Sequence, residues 1–151
     1  MSNISAPFHG LSTEFHKTAA SGGALSNTTK VGEVASIGAL ELSANIIEYN
    51  AYGQNFKRKL SGQKDSGTLA LTLNWTPTAT SSDLQTTLKA AYEAGTSGFY
   101  SIKWVSGSEN ARASFAGFIS SFSIESPIED VVTCNIELSI DGAVTFTLDT
   151  V

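Results

Sequence analysis

The sequence predicts a mainly β protein: a two-sheet antiparallel β-sandwich or flattened barrel with one flanking α-helix and a long inter-strand loop. The first observation is the alternation of apolar and polar residues in Thr68–Trp75 and Val132–Asp141, which is typical of half-buried strands. The second is that helical periodicity is convincing in one segment only, Ser82–Ala94. The third is that most connections are short and rich in turn-forming residues, which favours antiparallel hairpins.

The first 30 residues are rich in Ser, Ala, Gly and Thr and show weak periodicity. We predict a flexible or partner-dependent N-terminal arm over residues 1–30, with room for one short strand, and a single β-sandwich domain over residues 31–151. Val31–Ile37 is predicted as the first strand of that domain, and Leu42–Glu48 as the next. A chain of 151 residues buries about 70% of the surface that its unfolded form exposes, so one core is expected.

The stretch Ala44–Trp75 is predicted as a strand, a long polar loop and a second strand. The loop, Tyr49–Gly67, is far longer than the about two to five residues that a hairpin turn needs. Loops of this length in compact domains are usually functional or disordered. Because this one carries Tyr49, Tyr52 and Phe56, we predict an arm that becomes ordered against a neighbouring molecule.

The predicted helix begins with a capping box of Ser82 and Gln85, and Gly95 follows its last turn, where a left-handed residue is common. Gly117 is predicted to mark a bulge, and Asp141-Gly142 a tight turn before the last strand. The remaining predicted strands are Phe99–Val105, Arg112–Glu125, Val132–Asp141 and Val144–Leu148.

The composition favours a protein that packs against copies of itself. Only 15% of the residues are charged, while Ser and Thr number 21 and 16. The net charge of −5 argues against nucleic-acid binding by phosphate neutralisation. We find no signal peptide and no apolar run long enough to span a membrane, so no membrane partner is expected. The single cysteine is compatible with a reducing compartment.

The sequence offers no constellation for catalysis, so neither an enzyme nor a cofactor is predicted. His9 and His16 have no third ligand nearby, whereas zinc sites need three or four ligands at short spacings. Cys134 lies on the apolar side of an alternating strand and is interpreted as a small buried hydrophobe. Glu129 and Asp130 are adjacent in a turn, where acidic residues usually just face solvent. Neither a nucleophile elbow nor a phosphate-binding loop is present.

The only basic cluster is Lys57-Arg58-Lys59, within the predicted loop. Three interpretations stay open: a nucleic-acid contact, a solvated loop tip, and a contact with an acidic patch of a neighbouring copy. We favour the last, because complementary charge fixes the register and choice of a partner. The predicted subunit-contact arm comprises Tyr49, Tyr52, Phe56, Lys57, Arg58, Lys59, Lys64 and Asp65.

Five segments, in this order, resemble the phage tail tube proteins. They are Gly32-Glu33-Val34, Leu60–Gly67, Leu84–Gly95, Phe115-Ala116-Gly117-Phe118-Ile119 and Val132–Phe146, and the resemblance covers about residues 31–148. It implies a structural virion protein, the major tail tube subunit, that forms stacked hexameric rings and a channel for DNA ejection.

The resemblance also implies partners and a location. The partners would be other copies, together with the tape measure, tail terminator and baseplate or tip proteins. DNA would pass through the lumen without specific binding. The location would be the virion tail, assembled in the host bacterial cytoplasm. Candidate lumen-facing residues are Thr68, Thr72, Asn74, Glu137 and Ser139. Two alternatives stay open: a type VI secretion-like tube protein, and a β-sandwich carbohydrate- or partner-binding module that uses the loop aromatics.

Overall fold

A computed structural model describes residues 10, 13–20, 22–26, 29–77, 83–106 and 109–150 of the chain. This part contains eight strands and one helix. In chain order they are β1 (Thr13–Thr18), β2 (Val34–Ile37), β3 (Ser43–Tyr49), β4 (Arg58–Asp65), β5 (Thr68–Asn74), α1 (Leu84–Ala94), β6 (Gly98–Ser106), β7 (Glu109–Glu125) and β8 (Thr133–Thr150). The prediction of a mainly β chain with one flanking helix is confirmed.

Six strands form one curled antiparallel sheet in the order β1-β6-β7-β8-β5-β2, and β3 pairs with β4 in a separate two-stranded sheet. The segment just before β2 closes part of the gap between the two ends of the large sheet. There the Val31 amide donates to the Phe15 carbonyl at 2.8 Å, and the Lys17 amide donates to the Thr29 carbonyl at 2.9 Å. The large sheet therefore has the shape of a flattened half-barrel.

Alternate residues of the strands fill the inside of the curl. Leu69, Leu71 and Leu73 of β5 are all almost completely buried, as the alternation predicts. Helix α1 covers one open end of this core. Its Leu88 is fully buried, and its Tyr92 stacks on Phe122 of β7 with ring centroids 6.0 Å apart. The helix is amphipathic for this reason: one stripe meets the sheet and the rest faces solvent.

The helix starts differently from the predicted capping box. The N-cap is Asp83, whose carboxylate accepts from the Gln85 amide at 3.2 Å; Ser82 lies outside the described residues. Gln85 is therefore too close to the cap to complete a capping box. Its buried amide group instead accepts from the Thr76 amide and donates to the carbonyls of Asn74 and Gly32, at 2.9, 3.0 and 3.2 Å. At the other end, Gly95 has a φ of 65° and forms the left-handed cap, as predicted.

We expect Gln85→Ala to lower the free energy of unfolding by about 2–3 kcal/mol, because three backbone groups lose a buried partner at once. Urea denaturation followed by circular dichroism measures this loss. The matched control is Lys89→Ala on the exposed side of the same helix, which should change the free energy of unfolding by less than about 0.5 kcal/mol. Equal stability of the two variants would contradict the prediction.

The predicted turn at Asp141-Gly142 is wrong, because β8 runs without interruption from Thr133 to Thr150 and pairs with β7 along its length. Gly142 has a φ of 83°, which suits an irregularity within a strand as well as a turn. The register shifts there: Ser114 pairs with Thr145, whereas Ala116 pairs with Asp141. β8 thus carries a bulge. It lies beside Gly117, where the sequence predicted an irregularity in β7.

The predicted long loop Tyr49–Gly67 is also wrong in part, because most of its second half is strand β4. It pairs antiparallel with β3, so the excursion is a β-hairpin with a loop over residues 50–57. The predicted N-terminal arm contains one short strand, β1, which pairs with β6 in the large sheet. The predicted boundary at residue 30, between a flexible arm and the β-sandwich domain, stays a prediction.

Candidate functional site

The β3–β4 hairpin is the candidate functional site because it stands away from the core. Every residue of β3 is exposed, and in β4 all are exposed except Gly62, which is half-buried. A two-stranded hairpin alone is marginally stable in water, so exposure of both of its faces is unusual. Exposed apolar patches of this kind mark interaction surfaces.

The register assigns the side chains of the hairpin to two faces. Ile47 lies opposite Leu60, and Tyr49 lies opposite Arg58, so these four side chains share one face. We call it the apolar face. Glu48 lies opposite Lys59 on the other face. The register slips between Ala44 and Ile46, where Gly62 passes so close to the Asn45 carbonyl that a Cβ would lie 2.9 Å from its oxygen.

The basic cluster is partly neutralised within the hairpin. The ammonium groups of Lys57 and Lys59 lie 3.7 and 3.9 Å from the Glu48 carboxylate. Such exposed pairs contribute little to stability, at most about 1 kcal/mol. Arg58 lies on the opposite face and is the cation that accompanies the apolar side chains.

The last two charged residues of the predicted arm lie near the base of the hairpin. Lys64 is opposite Ala44, and Asp65 is opposite Ser43. The Asp65 carboxylate accepts from the Gly67 amide at 3.0 Å, which fixes the turn from β4 into β5. Asp65 therefore has a structural role in the isolated chain.

The loop of the hairpin carries the two most exposed aromatic residues of the described chain. Tyr52 is 108% exposed and Phe56 is 83% exposed, so neither side chain is held by the fold. Their burial against another surface would remove a large apolar area from water. The structure thus brings the predicted contact residues together on one projecting element, and the role of that element stays a prediction.

The base of the hairpin is tied to the β8 bulge. The Ser66 hydroxyl donates to the Gly142 carbonyl at 2.7 Å, and the Ile140 amide donates to the Gly67 carbonyl at 3.1 Å. A cleft of about 820 Å³ lies between the hairpin base and β8, lined in part by Leu42, Gln63 and Val144. The bulge therefore sets where the hairpin leaves the body.

The five candidate lumen-facing residues lie together on one face of the sheet. Thr68, Thr72 and Asn74 alternate with the buried leucines of β5, and Glu137 and Ser139 lie beside them on β8. Thr68 is opposite Ser139, and the Thr72 hydroxyl donates to the Asn135 side chain at 3.1 Å. This face is rich in hydroxyl and amide groups, and Glu137 is the one charged residue of the five.

His16, one of the residues considered for chemistry, has a structural role. His16 is buried, with Nδ1 3.0 Å from the Thr29 hydroxyl and Nε2 3.0 Å from the Glu14 carboxylate. Burial lowers the pKa of His16, although the Glu14 hydrogen bond opposes this shift. No group of three metal-ligating residues occurs in the described ranges, and His9 lies outside them. Among the same ranges, no helix is long and apolar enough to cross a membrane.

Cys134 is fully buried in β8, and burial raises the pKa of its thiol to about 11. Because the thiolate is the reactive form, we expect Cys134 to resist a thiol reagent at pH 8 in the native protein. The thiol should react fully once the protein is unfolded in guanidinium chloride. Fast labelling of the native protein would contradict the buried placement.

This fold is similar to the folds of solved proteins from phage and phage-like tails. A chain of the PVC sheath/tube terminator of an extracellular contractile injection system has a TM-score of 0.71 at 17% identity, covering 95% of this chain and 99% of that chain. A chain of the sheath-tube complex of the same system has a TM-score of 0.69 at 18% identity, covering 96% and 93%. The SPP1 tail tube has a TM-score of 0.65 at 12% identity, covering 96% and 80%.

The chain belongs to the family described as lambda phage tail tube protein, TTP, whose sequence profile matches residues 13–147. It is therefore a structural component of a phage or phage-like tail, in a family whose members are not enzymes. Among curated protein sequences, none matches the chain. The predicted resemblance to phage tail tube proteins is confirmed, and it favours this interpretation over a carbohydrate-binding module.

Sequence reasoning missed several exposed apolar residues. Ile46, Ile47 and Leu60 were not assigned to the contact arm, because β4 was not predicted. Ile128 and Val131, in the turn between β7 and β8, were also missed. The sequence carries a signal for Ile128 and Val131, because both are β-branched apolar residues in a short turn segment that also contains Glu129 and Asp130.

Proposed function

We propose that this chain is the major tail tube subunit of a long-tailed bacteriophage, and that it assembles into hexameric rings that stack into a channel for DNA ejection. The observation that carries the proposal is the hairpin, whose aromatic and aliphatic side chains are exposed in the described part of the chain. Membership of the tail tube family supports it. Assembly takes place in the host bacterial cytoplasm, with the tape measure, terminator and baseplate or tip proteins as partners.

Lateral joining of subunits into a ring is supported by an open edge of the large sheet. β8 pairs with β5 only over Thr133–Ser139, so in the described chain no strand pairs with this side of β8 beyond Ile140. Phe146 and Leu148, in that unpaired stretch, are 57% and 83% exposed. Exposed edges invite pairing with another chain. A neighbouring copy that pairs with this edge satisfies its free backbone groups and buries both side chains.

The hairpin makes the contact between stacked rings. An open-ended tube needs a heterologous contact, in which one end of a subunit binds a different surface of the next. The residues that we assign to this contact are Tyr49, Tyr52, Phe56, Lys57, Arg58, Lys59 and Lys64. The hydroxyl-rich face of β5 and β8 lines the lumen. Because Glu137 is the one charged residue among its five named positions, DNA passes without being bound.

The test is negative-stain electron microscopy of the purified full chain over a range of concentrations. We expect rings at low concentration and hollow tubes at high concentration. A protein that stays monomeric throughout, as judged by light scattering on the same samples, would refute the proposal. A type VI secretion-like tube would also give tubes, so detection of the chain in purified virion tails separates it from the phage function.

A further inference from the structure

A second exposed apolar surface lies at the end of β7 and in the turn that follows it, on residues 124–131, which we call the acidic turn. Ile128 is 101% exposed, and Val131 and Ile124 are 56% and 44% exposed. The carboxylates of Glu125, Glu129 and Asp130 stand among them, and the segment contains no cation. Apolar side chains beside unneutralised acidic groups suit a partner surface that offers apolar contacts and positive charge.

The hairpin is the part of this chain with that chemistry. From Ser43 to Asp65 it contains four cationic residues (Lys57, Arg58, Lys59 and Lys64) and two acidic ones (Glu48 and Asp65), a net charge of +2. The whole chain carries −5, so the remainder carries −7. Arg58 stands on the apolar face of the hairpin, and its planar guanidinium matches a carboxylate better than an ammonium does.

The two surfaces lie at opposite ends of the same part of the sheet. The hairpin leaves the body where β5 begins, at Thr68 opposite Ser139. The acidic turn lies where β5 ends, because the Trp75 amide donates to the Val132 carbonyl at 2.8 Å. The seven residues of β5 separate the two points by about 20 Å. If copies stack in the same orientation along the direction of β5, the hairpin of one copy meets the acidic turn of the next.

We propose that the acidic turn of each subunit receives the apolar face of the hairpin from a second copy in the adjacent ring, with Arg58 paired to Glu129. This inference rests on the proposed tube function and identifies the receiving surface. Burial of Ile128 and Val131 against Ile47, Tyr49 and Leu60 supplies the apolar contact. The Arg58–Glu129 pair fixes the register of the stack, since a wrong register would leave a charge unpaired.

Charge reversal with compensation tests the pairing. We expect Arg58→Glu and Glu129→Arg each to reduce the amount of tube that sediments at a fixed concentration by at least about tenfold. The double variant should recover most of the loss. The matched control is Lys89→Glu, a charge reversal on the exposed side of α1, which should assemble like the wild type. Wild-type assembly by Glu129→Arg, or a double variant no better than the single variants, would overturn the inference.

Disulfide formation between copies gives a second measurement that does not depend on charge. Leu60→Cys protein and Ile128→Cys protein are co-assembled and mildly oxidised; the native Cys134 is buried and does not interfere. We expect disulfide-linked dimers in the mixture and none in either protein alone. Tubes that form without such dimers would refute the receiving surface while leaving the tube function standing. Wild-type protein that forms no tubes would refute both.

Discussion

Replacing Tyr52 and Phe56 together with serine is expected to abolish tube formation while leaving the stability of the subunit unchanged. Both side chains are almost fully exposed, so the free energy of unfolding should change by less than about 0.5 kcal/mol. At the contact between rings, each lost aromatic anchor should cost about 2 kcal/mol or more, and the loss is repeated in every subunit of a ring. The measurements are a thermal melt, and sedimentation with electron microscopy.

The matched control for this variant keeps both aromatic side chains. Tyr52→Phe with Phe56→Tyr exchanges one hydroxyl between the two positions and should assemble like the wild type. Tubes formed by the serine variant at wild-type concentrations would contradict a role for the hairpin loop. A fall in melting temperature of the serine variant would show that the two aromatics stabilise the subunit itself.

Among the variants proposed for this protein, Gly117→Ala is expected to lower the free energy of unfolding most. A Cβ at this position would lie 2.5 Å from the Ser139 carbonyl oxygen and 3.3 Å from its carbon. Both are backbone atoms of β8, which is paired on either side at that point, so neither can move away cheaply. We expect the free energy of unfolding to fall by about 3 kcal/mol, at the upper end for overpacked sites.

The control is Gly32→Ala, where a Cβ would meet no atom within 4 Å and the backbone is not left-handed. That variant should unfold at nearly the wild-type urea concentration. If Gly117→Ala unfolds there too, the close approach of β7 and β8 is not as tight as the structure has it. The approach matters for assembly, because the β8 bulge beside it holds the base of the hairpin.

Strands with one buried face were predictable from the sequence, whereas β4, which has no buried face, was not. β5 alternates strictly because Leu69, Leu71 and Leu73 enter the core while their neighbours face out. β4 reads Arg-Lys-Leu-Ser-Gly-Gln-Lys-Asp, and neither of its faces is buried. Without a buried face there is no alternation to detect, so the segment resembled a loop.

Turn chemistry alone also gives a wrong prediction at Asp141-Gly142. A glycine with positive φ serves a hairpin turn and a bulge equally well, and only the pairing of the strand beyond it distinguishes them. The helix α1 is capped one residue later than predicted for a similar reason. Ser82 and Asp83 are both good caps, and the buried hydrogen bonds of Gln85 favour the register in which Asp83 is the cap.

The candidate site was predictable as a region but not as a surface. Exposed aromatics in an unusually long excursion identified the arm, including Tyr52 and Phe56. The division of its charges did not follow from the sequence, since it depends on the β3–β4 register. In that register, Lys57 and Lys59 form ion pairs with Glu48, and Arg58 lies on the apolar face. The sequence predicts a turn at Glu129 and Asp130, but it does not show that Ile128 and Val131 are exposed beside them.

A cryo-EM reconstruction of tubes assembled from the full chain would show directly where the hairpin lies. We expect the hairpin from Ser43 to Asp65 to extend from its own subunit and lie against a subunit of the adjacent ring, with Tyr52 and Phe56 buried there. A map in which the hairpin folds back onto its own subunit, or stays in solvent while the rings stack through other surfaces, would contradict the account.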